Sequence, residues 1–414
     1  MAPYESDDST GIEDADELRS GRRRAARYVV PAAVVGVAAA TIGLVPALAD
    51  SGDPDLPKIT AQQLIEKIAK SDVQRLSGTV KVSTDLGLPD LGGLESGLAS
   101  RAAGGGDGSS ADPASRLTEL ASGTHTLRVA SDGEDRQKVS LIERAAEYSL
   151  IHNGKDVWGY DSKSNEVYHG TASQDGGKRH DQVPATPKDF ADQALKSVDD
   201  TTSVTVDGTA RVAGRDAYKL VVKPKQSGTT VGAISIAVDA KTGLPLKFTL
   251  TPASGGAAVV DAGFTQVSFA RPAASTFAFT PPKGAKVTDE KDAPHDGAKA
   301  PGHGLLPGMP SQKDLAKGGR EDFAKEGPKV LGKGWNSIAT FDTGGKGGKG
   351  GAPSGSGSGD LGGMLGSLGD QVTGKFGKGT VFSTRLINAL ITDDGKVYVG
   401  AVTKGALVKA ANAG

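Results

Sequence analysis

The chain has 414 residues, a formal net charge of −1 and no cysteine. A balanced charge excludes a protein whose main task is to neutralise nucleic-acid phosphate, so no nucleic-acid partner is expected. The lack of cysteine excludes disulfide scaffolds, thiolate zinc sites, cysteine nucleophiles and lipid anchors attached through a cysteine. With 59 glycines and only 5% aromatic residues, part of the chain is too poor in apolar side chains to form a packed core.

The N-terminal region predicts a membrane segment. Residues 1–27 form a polar tail that is acidic first and arginine-rich afterwards, and residues 28–49 carry no charge. As a helix this run is about 33 Å long, enough to cross a hydrocarbon core of about 30 Å. Because arginines stay on the cytoplasmic side, we expect a cytoplasmic N-terminus and an extracytoplasmic main domain.

The same segment also has features of a cleaved signal. It ends in Ala47, Leu48 and Ala49, an A-x-A site of the kind that signal peptidase cuts. The sequence therefore leaves two alternatives open. Residues 28–49 are either a retained single-pass anchor in the cell membrane or a signal segment, and cleavage after Ala49 would release a secreted protein.

Glycine-rich tracts and two helices come next. The tracts at 86–123 and 343–363 predict a loop insertion and a linker, and 284–330 predicts a flexible linker. Thr60 and Gln63 form a capping box that predicts a helix over 60–70. Thr186, followed by Pro187 at the first helical position, predicts a second helix over 187–198.

Most of the remaining sequence between 75 and 283 predicts strands. Apolar and polar residues alternate most cleanly in 217–223, 233–239 and 245–250, and short turns separate the predicted strands. Short connections between neighbouring strands favour an antiparallel sheet with one apolar face. About ten or eleven strands at about 4.8 Å spacing make a sheet about 50 Å wide, which two helices cannot cover. The sheet must therefore curl, enclose an apolar ligand or meet a partner.

Catalytic and metal-binding motifs are missing from the sequence. The six histidines contain no H-x-x-x-H pair, and no G-x-S-x-G segment occurs. Gly369 to Lys375 nearly matches a phosphate-binding loop, but Phe376 stands where a serine or threonine would bind magnesium. We therefore expect no enzymatic activity, no cofactor and no metal site.

Several segments resemble one known superfamily in their order along the chain. They are the strand Arg75–Val82, the segments 155–160 and 165–168 around Trp158, the strand 214–224 and the segment 234–248 with its pattern I-x-V-D-x-x-T-G-L-P-L. Together, over about 58–283, they resemble the LolA-type lipoprotein carrier superfamily, which includes the RseB-type regulators. The resemblance implies an α+β fold, a curved antiparallel half-barrel wrapped around two helices. It also implies a hydrophobic cavity that accepts the acyl chains of lipid or lipoprotein.

The candidate residues for such a cavity are the apolar positions of the predicted strands: Val80, Val82, Leu127, Val129, Leu141, Trp158, Leu220, Ile234, Ile236, Val238, Leu246, Phe248 and Phe264. The sequence equally allows them to be ordinary core residues packed against the two helices. Residues 331–414 lie outside the resemblance and predict further strands and a short C-terminal helix. Among them, 330–341 predicts one strand that carries Trp335.

Three functions remain open from the sequence. The first is a membrane-tethered carrier or binder of lipid or lipoprotein. The second is an RseB-like regulator that contacts an anti-sigma factor or another envelope protein. The third is a cell-envelope protein that keeps the fold and binds no ligand.

Overall fold

The computed structural model describes residues 53–87, 122–171, 186–289, 329–342 and 369–413, and the single residues Ala111, Pro113, Arg116 and Leu120. The predicted tail 1–27 and membrane segment 28–49 lie outside these residues, as do most of the tracts 86–123, 284–330 and 343–363. Among the described residues, no helix is both long enough and apolar enough to cross a bilayer.

The larger of two sheets has twelve strands. They are β1 (Arg75–Thr84), β2 (Gly123–Asp132), β3 (Arg136–Ile142), β4 (Glu147–Asn153), β5 (Asp156–Asp161), β6 (Glu166–Thr171), β7 (Thr202–Val212), β8 (Arg215–Pro224), β9 (Val231–Asp239), β10 (Pro245–Pro252), β11 (Val260–Ser268) and β12 (Lys286–Asp289). Their spatial order is β12-β6-β5-β4-β3-β2-β1-β11-β10-β9-β8-β7. This curved, mostly antiparallel sheet agrees with the expected fold class. It has one strand more than the upper prediction, because β12 forms within the segment predicted as a linker.

Two capped helices cover one face of this sheet, which we call the inner face. Helix α1 (Ala61–Ala69) begins after Thr60 and helix α2 (Pro187–Lys196) begins after Thr186, each with a complete capping box. Capping satisfies backbone N–H groups that have no partner in the first helical turn. The apolar stripes of both helices point into the same core as the strands.

A crossing segment covers part of the opposite, outer face. Strand β11 pairs with β1, whereas β12 pairs in parallel with β6 at the far edge of the sheet. Residues 269–285, which we call the strap, must therefore pass over β1–β5. Phe277 of the strap is 1% exposed, and the Phe279 ring contacts Trp158 with a centroid distance of 5.6 Å.

The C-terminal unit, residues 329–342 and 369–413, forms a second sheet. Its strands are β13 (Lys329–Leu331), β14 (Ile338–Asp342), β15 (Asp370–Gly374), β16 (Gly377–Ser383), β17 (Asn388–Thr392) and β18 (Lys396–Gly400), in the order β13-β14-β18-β17-β16-β15. Helix α3 (Lys404–Ala413) packs Leu407 against Leu390 and Tyr398 in a separate small core. The single strand expected over 330–341 is divided by a 3-10 turn at Gly334–Asn336, which carries Trp335.

The two sheets contact each other through the loop between β16 and β17. Leu386 of this loop is 1% exposed and belongs to the core of the large sheet. Arg385 next to it donates to the Asp85 carboxylate over 2.6 Å. Trp335 Nε1 donates to Thr202 Oγ1 over 2.9 Å, and Thr403 N donates to Gly228 O over 2.8 Å. The C-terminal unit is therefore joined to the large sheet by both apolar and polar contacts.

Candidate acyl-chain site

Twelve of the thirteen candidate residues lie on the inner face. Directly opposed residues of antiparallel strands share a face, and the register opposes Val80 to Leu127 and Leu127 to Leu141. It likewise opposes Phe248 to Ile236 and Ile236 to Leu220. The structure thus brings the following residues together on one surface: Val80, Val82, Leu127, Val129, Leu141, Leu220, Ile234, Ile236, Val238, Leu246, Phe248 and Phe264.

Trp158 is the exception and lies on the outer face. It is opposed to Ile151 in β4 and to His169 in β6, whereas the inner-face residue Tyr148 is opposed to Asp161. Since side chains alternate along a strand, Trp158 and Asp161 point to opposite faces. The expectation that Trp158 lines a cavity with the other twelve is therefore wrong.

In this structure the inner face is filled by the chain's own side chains. Val80, Leu220, Ile234, Ile236, Val238 and Leu246 are each 0% exposed, so no void as large as a water molecule touches them. Leu64 and Ile68 of α1 and Phe190 of α2 belong to the same buried cluster. Phe190 stacks on Phe248 with a ring-centroid distance of 5.2 Å. As ligand-binding residues, the twelve stay a prediction, and this arrangement is the packed alternative that the sequence left open.

Two further segments cover the inner face in addition to the two helices. The described residues of the 86–123 insertion pack over the β1–β6 half, where Leu120 is 2% exposed and Ala111 is fully buried. Tyr148 donates to Ala111 O over 3.1 Å, and Arg116 pairs with the buried Asp161 over 2.5 Å. Leu386 of the C-terminal unit enters the same core. The excess apolar surface is therefore covered by an insertion and a second unit as well as by helices.

The C-terminal end of helix α1 packs against the turn between β9 and β10, which has the sequence pattern D-x-x-T-G. Asp239 is 1% exposed and accepts two hydrogen bonds from Arg215, over 2.6 and 2.9 Å. It also accepts from the backbone N and the hydroxyl of Thr242, both over 2.7 Å. Burial raises the pKa of Asp239, but these donors outweigh burial and hold the pKa below its usual value. The carboxylate is therefore ionised and organises the turn.

Gly243 in this turn meets the C-terminal end of α1. Its φ is +76°, and a Cβ placed there would lie 2.4 Å from the Lys67 carbonyl oxygen. Only glycine combines this left-handed conformation with so close an approach of two backbones. The most specific part of the superfamily resemblance thus has a structural role, since it positions the helix that covers the inner face.

The outer face holds a histidine between two carboxylates. His169 stacks on Trp158 with a centroid distance of 3.9 Å, and its Nδ1 and Nε2 lie 2.9 Å from Asp289 and 3.2 Å from Asp156. Burial lowers the pKa of His169, but the two carboxylates outweigh burial and raise the pKa above its usual value. Because Asp289 belongs to β12, this histidine links the last strand of the large sheet to β5 and β6.

Comparison with known proteins shows similarity to solved structures only. No family model matches the chain, and no curated protein matches it. A complex of Pseudomonas aeruginosa MucA and MucB is 16% identical with a TM-score of 0.37, covering 85% of this chain and 96% of the matched chain. A LolA superfamily protein from Nitrosomonas europaea is 12% identical with a TM-score of 0.23. The match covers 54% of this chain and 99% of the matched chain.

A putative outer membrane lipoprotein-sorting protein domain from Vibrio parahaemolyticus is 10% identical with a TM-score of 0.20, covering 50% of this chain and 91% of that domain. One of these similar solved structures is a LolA superfamily protein, from the group that the sequence resembles.

Proposed function

We propose that this chain is a non-enzymatic binding protein of the cell envelope, which accepts the acyl chain of a lipid or lipoprotein between the inner face and helices α1 and α2. The observation that carries the proposal is the width of the apolar inner face, which is covered in part by two short helices. Helix α1 has 9 residues and α2 has 10. Since the interior is filled in this structure, an acyl chain enters by displacing these covering elements.

The energies favour such an exchange. Each acyl CH₂ that leaves water contributes about 0.8 kcal/mol, so about 15 of them contribute about 12 kcal/mol. Exposing Leu64, Ile68 and Phe190 costs about 1.5–3 kcal/mol for each side chain, or about 5–9 kcal/mol together. A long acyl chain therefore offsets the loss of the helix contacts, whereas a short one does not.

The same proposal includes a membrane tether. The apolar run 28–49 and the arginines before it support a single-pass anchor that holds the main domain outside the cytoplasm. Acyl ligands of an envelope protein are found in or near that membrane. Alkaline extraction of membranes from the native host tests this part, because an anchored chain stays in the membrane fraction and a chain cleaved after Ala49 does not.

The binding proposal is tested with the full chain, purified from its native host in a maltoside detergent. Native mass spectrometry should show a co-purifying lipid, and a fluorescent long-chain fatty acid should bind saturably. Gly243→Ala, which disturbs the seat of α1, should take up the fatty acid faster than Gly208→Ala. Gly208 is the matched control because its φ is +77° and a Cβ there meets nothing within 4 Å. If no lipid co-purifies and neither variant takes up the probe, acyl binding is rejected.

A second function, RseB-like regulation through protein contact, has its own supporting observation. Val330, Phe341 and Ile391 are among the most exposed large apolar residues described, at 39%, 37% and 43%. The register places Phe341 and Ile391 opposite Val397, on the face of the second sheet that points away from the α3 core. Exposed apolar patches of this kind mark protein interfaces.

The regulatory alternative has a genetic test. Deleting the gene should change the activity of an extracytoplasmic sigma factor, measured with a promoter reporter. Wild-type protein should restore that activity, whereas the double variant Phe341→Asp/Ile391→Asp should not, because two charges would block the apolar contact. Unchanged reporter activity in the deletion strain would reject the regulatory function. It would not affect the acyl-binding proposal, which is tested separately.

A further inference from the structure

A polar groove of about 560 Å³ lies on the outer face of the large sheet. Its floor is formed by β11, β1, β2, β3 and the start of β4, and Thr276 of the strap lies at one side. Its charged side chains are Arg128, Lys138 and Glu147, and the hydroxyls of Ser77, Thr79 and Ser140 lie among them. This groove is on the opposite side of the sheet from the proposed acyl site, so its ligand is a separate question.

Two cations of the groove interact with the Glu147 carboxylate only through longer-range charge attraction, without direct contact. Among the described residues, Arg128 and Lys138 make no hydrogen bond and no ion pair within 4 Å. The carboxylate of the groove, Glu147, accepts from Ser149 over 2.8 Å, and Ser149 is bonded in turn to the buried Ser140. Burial raises the pKa of Glu147, but both serines and the two nearby cations outweigh burial and lower it. Glu147 is thus already satisfied, and the donors of the two cations remain available.

A second group of cations adjoins the groove on the same face. The Asp132 carboxylate, 5% exposed, lies 2.6 Å from Arg136, 3.1 Å from Arg271 and 3.3 Å from Arg75. One carboxylate among three guanidiniums leaves an excess of positive charge. Residues two apart along a strand lie on the same face of the sheet. Asp132 therefore lies next to Ala130 of the groove, and Arg136 lies next to Lys138, on the outer face.

Four carboxylates lie on or near this surface, and two of them, Asp132 and Glu147, lie among the cations. Glu134 and Asp135 occupy the turn between β2 and β3, beyond the three arginines. With Asp132 and Glu147 these residues make four carboxylates. The surface carries five cations, so positive charge is in excess. The cations are Arg75, Arg128, Arg136, Lys138 and Arg271.

We infer that this groove binds an anion of the phosphate class, either free or carried on a lipid headgroup. Arg128 is opposed to Ser140, and Lys138 precedes Ser140 by two residues in the next strand, so the two cations are diagonal neighbours with Cα atoms about 7–8 Å apart. That spacing lets both reach one phosphate, and the Ser77 and Thr79 hydroxyls supply further donors. Charge-assisted hydrogen bonds of this kind are about twice as strong as neutral ones.

The experiment uses the full chain in a maltoside detergent, which contains no phosphate, at low ionic strength. Isothermal titration with inorganic phosphate and with glycerophosphoglycerol separates a free anion from a headgroup. The double variant Arg128→Gln/Lys138→Gln should weaken binding at least tenfold. Lys155→Gln/Lys163→Gln is the control, since it removes the same charge from turns outside the groove and should bind like the wild type.

The outcomes are distinct. Binding of phosphate alone identifies a free anion, and tighter binding of the glycerol phosphodiester identifies a headgroup. Unfolding midpoints of both double variants show whether the fold is intact, and Arg128→Gln alone, at an exposed position, supplies an intermediate affinity. The inference is overturned if neither probe binds the wild type, or if both double variants bind equally.

Discussion

At the scale of single residues, the polar side chains of this protein organise backbone turns and strand ends. Asp239 is the clearest case, because one carboxylate accepts hydrogen bonds from Arg215 and from both donor groups of Thr242. His169 has a similar role at the edge of the sheet, where it joins Asp156 of β5 to Asp289 of β12. The sequence alone favours surface or turn positions for all the histidines, since a partner 120 residues away in the chain leaves no local pattern.

Because the pKa of His169 is raised, we predict that the stability of the sheet edge depends on pH. Its raised pKa means that its contribution is fully present below about pH 6.5 and is lost as the pH rises through the higher folded-state pKa. His169→Gln should therefore lower the free energy of unfolding by less than about 1 kcal/mol at pH 5.5, because the pair is partly solvent-screened, and by less still at pH 8.5. Urea unfolding at both pH values measures this difference.

His152→Gln provides the control for that measurement. His152 lies in β4, which β5 separates from β6, and its Nε2 lies 2.8 Å from the backbone oxygen of Gly154, with no carboxylate in contact among the described residues. The loss of unfolding free energy measured for His152→Gln at each pH is subtracted from the loss for His169→Gln, which leaves the part that depends on the two carboxylates. An equal loss for His169→Gln at pH 5.5 and 8.5 would show that the histidine acts by packing on Trp158 alone.

At the scale of elements, the covering helices are held at a few defined points. Helix α1 is capped at Thr60 and meets Gly243 at its other end. The strap is held by Phe277 and Phe279 and ends in β12. The capping box of Thr60 and Gln63 and the proline at the start of α2 are local signals and were readable in the sequence. The strap was not, because the order of strands in the sheet determines where the chain must cross.

Gly243→Ala should disturb α1 specifically. Both Gly243→Ala and Gly208→Ala place a Cβ on left-handed backbone, which costs about 1–2 kcal/mol. Only at Gly243 must the Lys67 carbonyl also move, since the new Cβ would lie 2.4 Å from it. We expect Gly243→Ala to lose more unfolding free energy than Gly208→Ala and to show faster amide exchange across 61–69. Equal exchange in the two variants would mean that α1 does not depend on this seat.

At the scale of the whole molecule, the C-terminal unit has its own small core and also contributes to the core of the large sheet. Leu386 is the residue of the second unit that is most deeply buried in the first, and Thr230 donates to its carbonyl oxygen. The unit also contributes Trp335 and Ile387 to the margin of that core. The inner face is therefore covered by side chains of the large-sheet unit and of the C-terminal unit.

Leu386→Ala should weaken this joint core. Truncating a buried leucine costs about 2–5 kcal/mol, whereas Ile391→Ala, at a position 43% exposed in the same unit, should cost well under half of that. Denaturant unfolding followed by circular dichroism and by tryptophan fluorescence should give coincident transitions for the wild type and separate ones for Leu386→Ala. Similar losses for the two variants would indicate that the loop does not join the units.

The sequence by itself determined the mostly β fold class, the two capped helices and the apolar set that forms the inner face. These features depend on alternation and capping, which act between residues close together in the chain. Only the tertiary structure decided that Trp158 lies on the outer face, that β12 completes the sheet, and that Leu120 and Leu386 help to fill the interior. Strand order and long-range packing determine those positions, because they depend on which distant segments meet and leave no periodic pattern in the residues themselves.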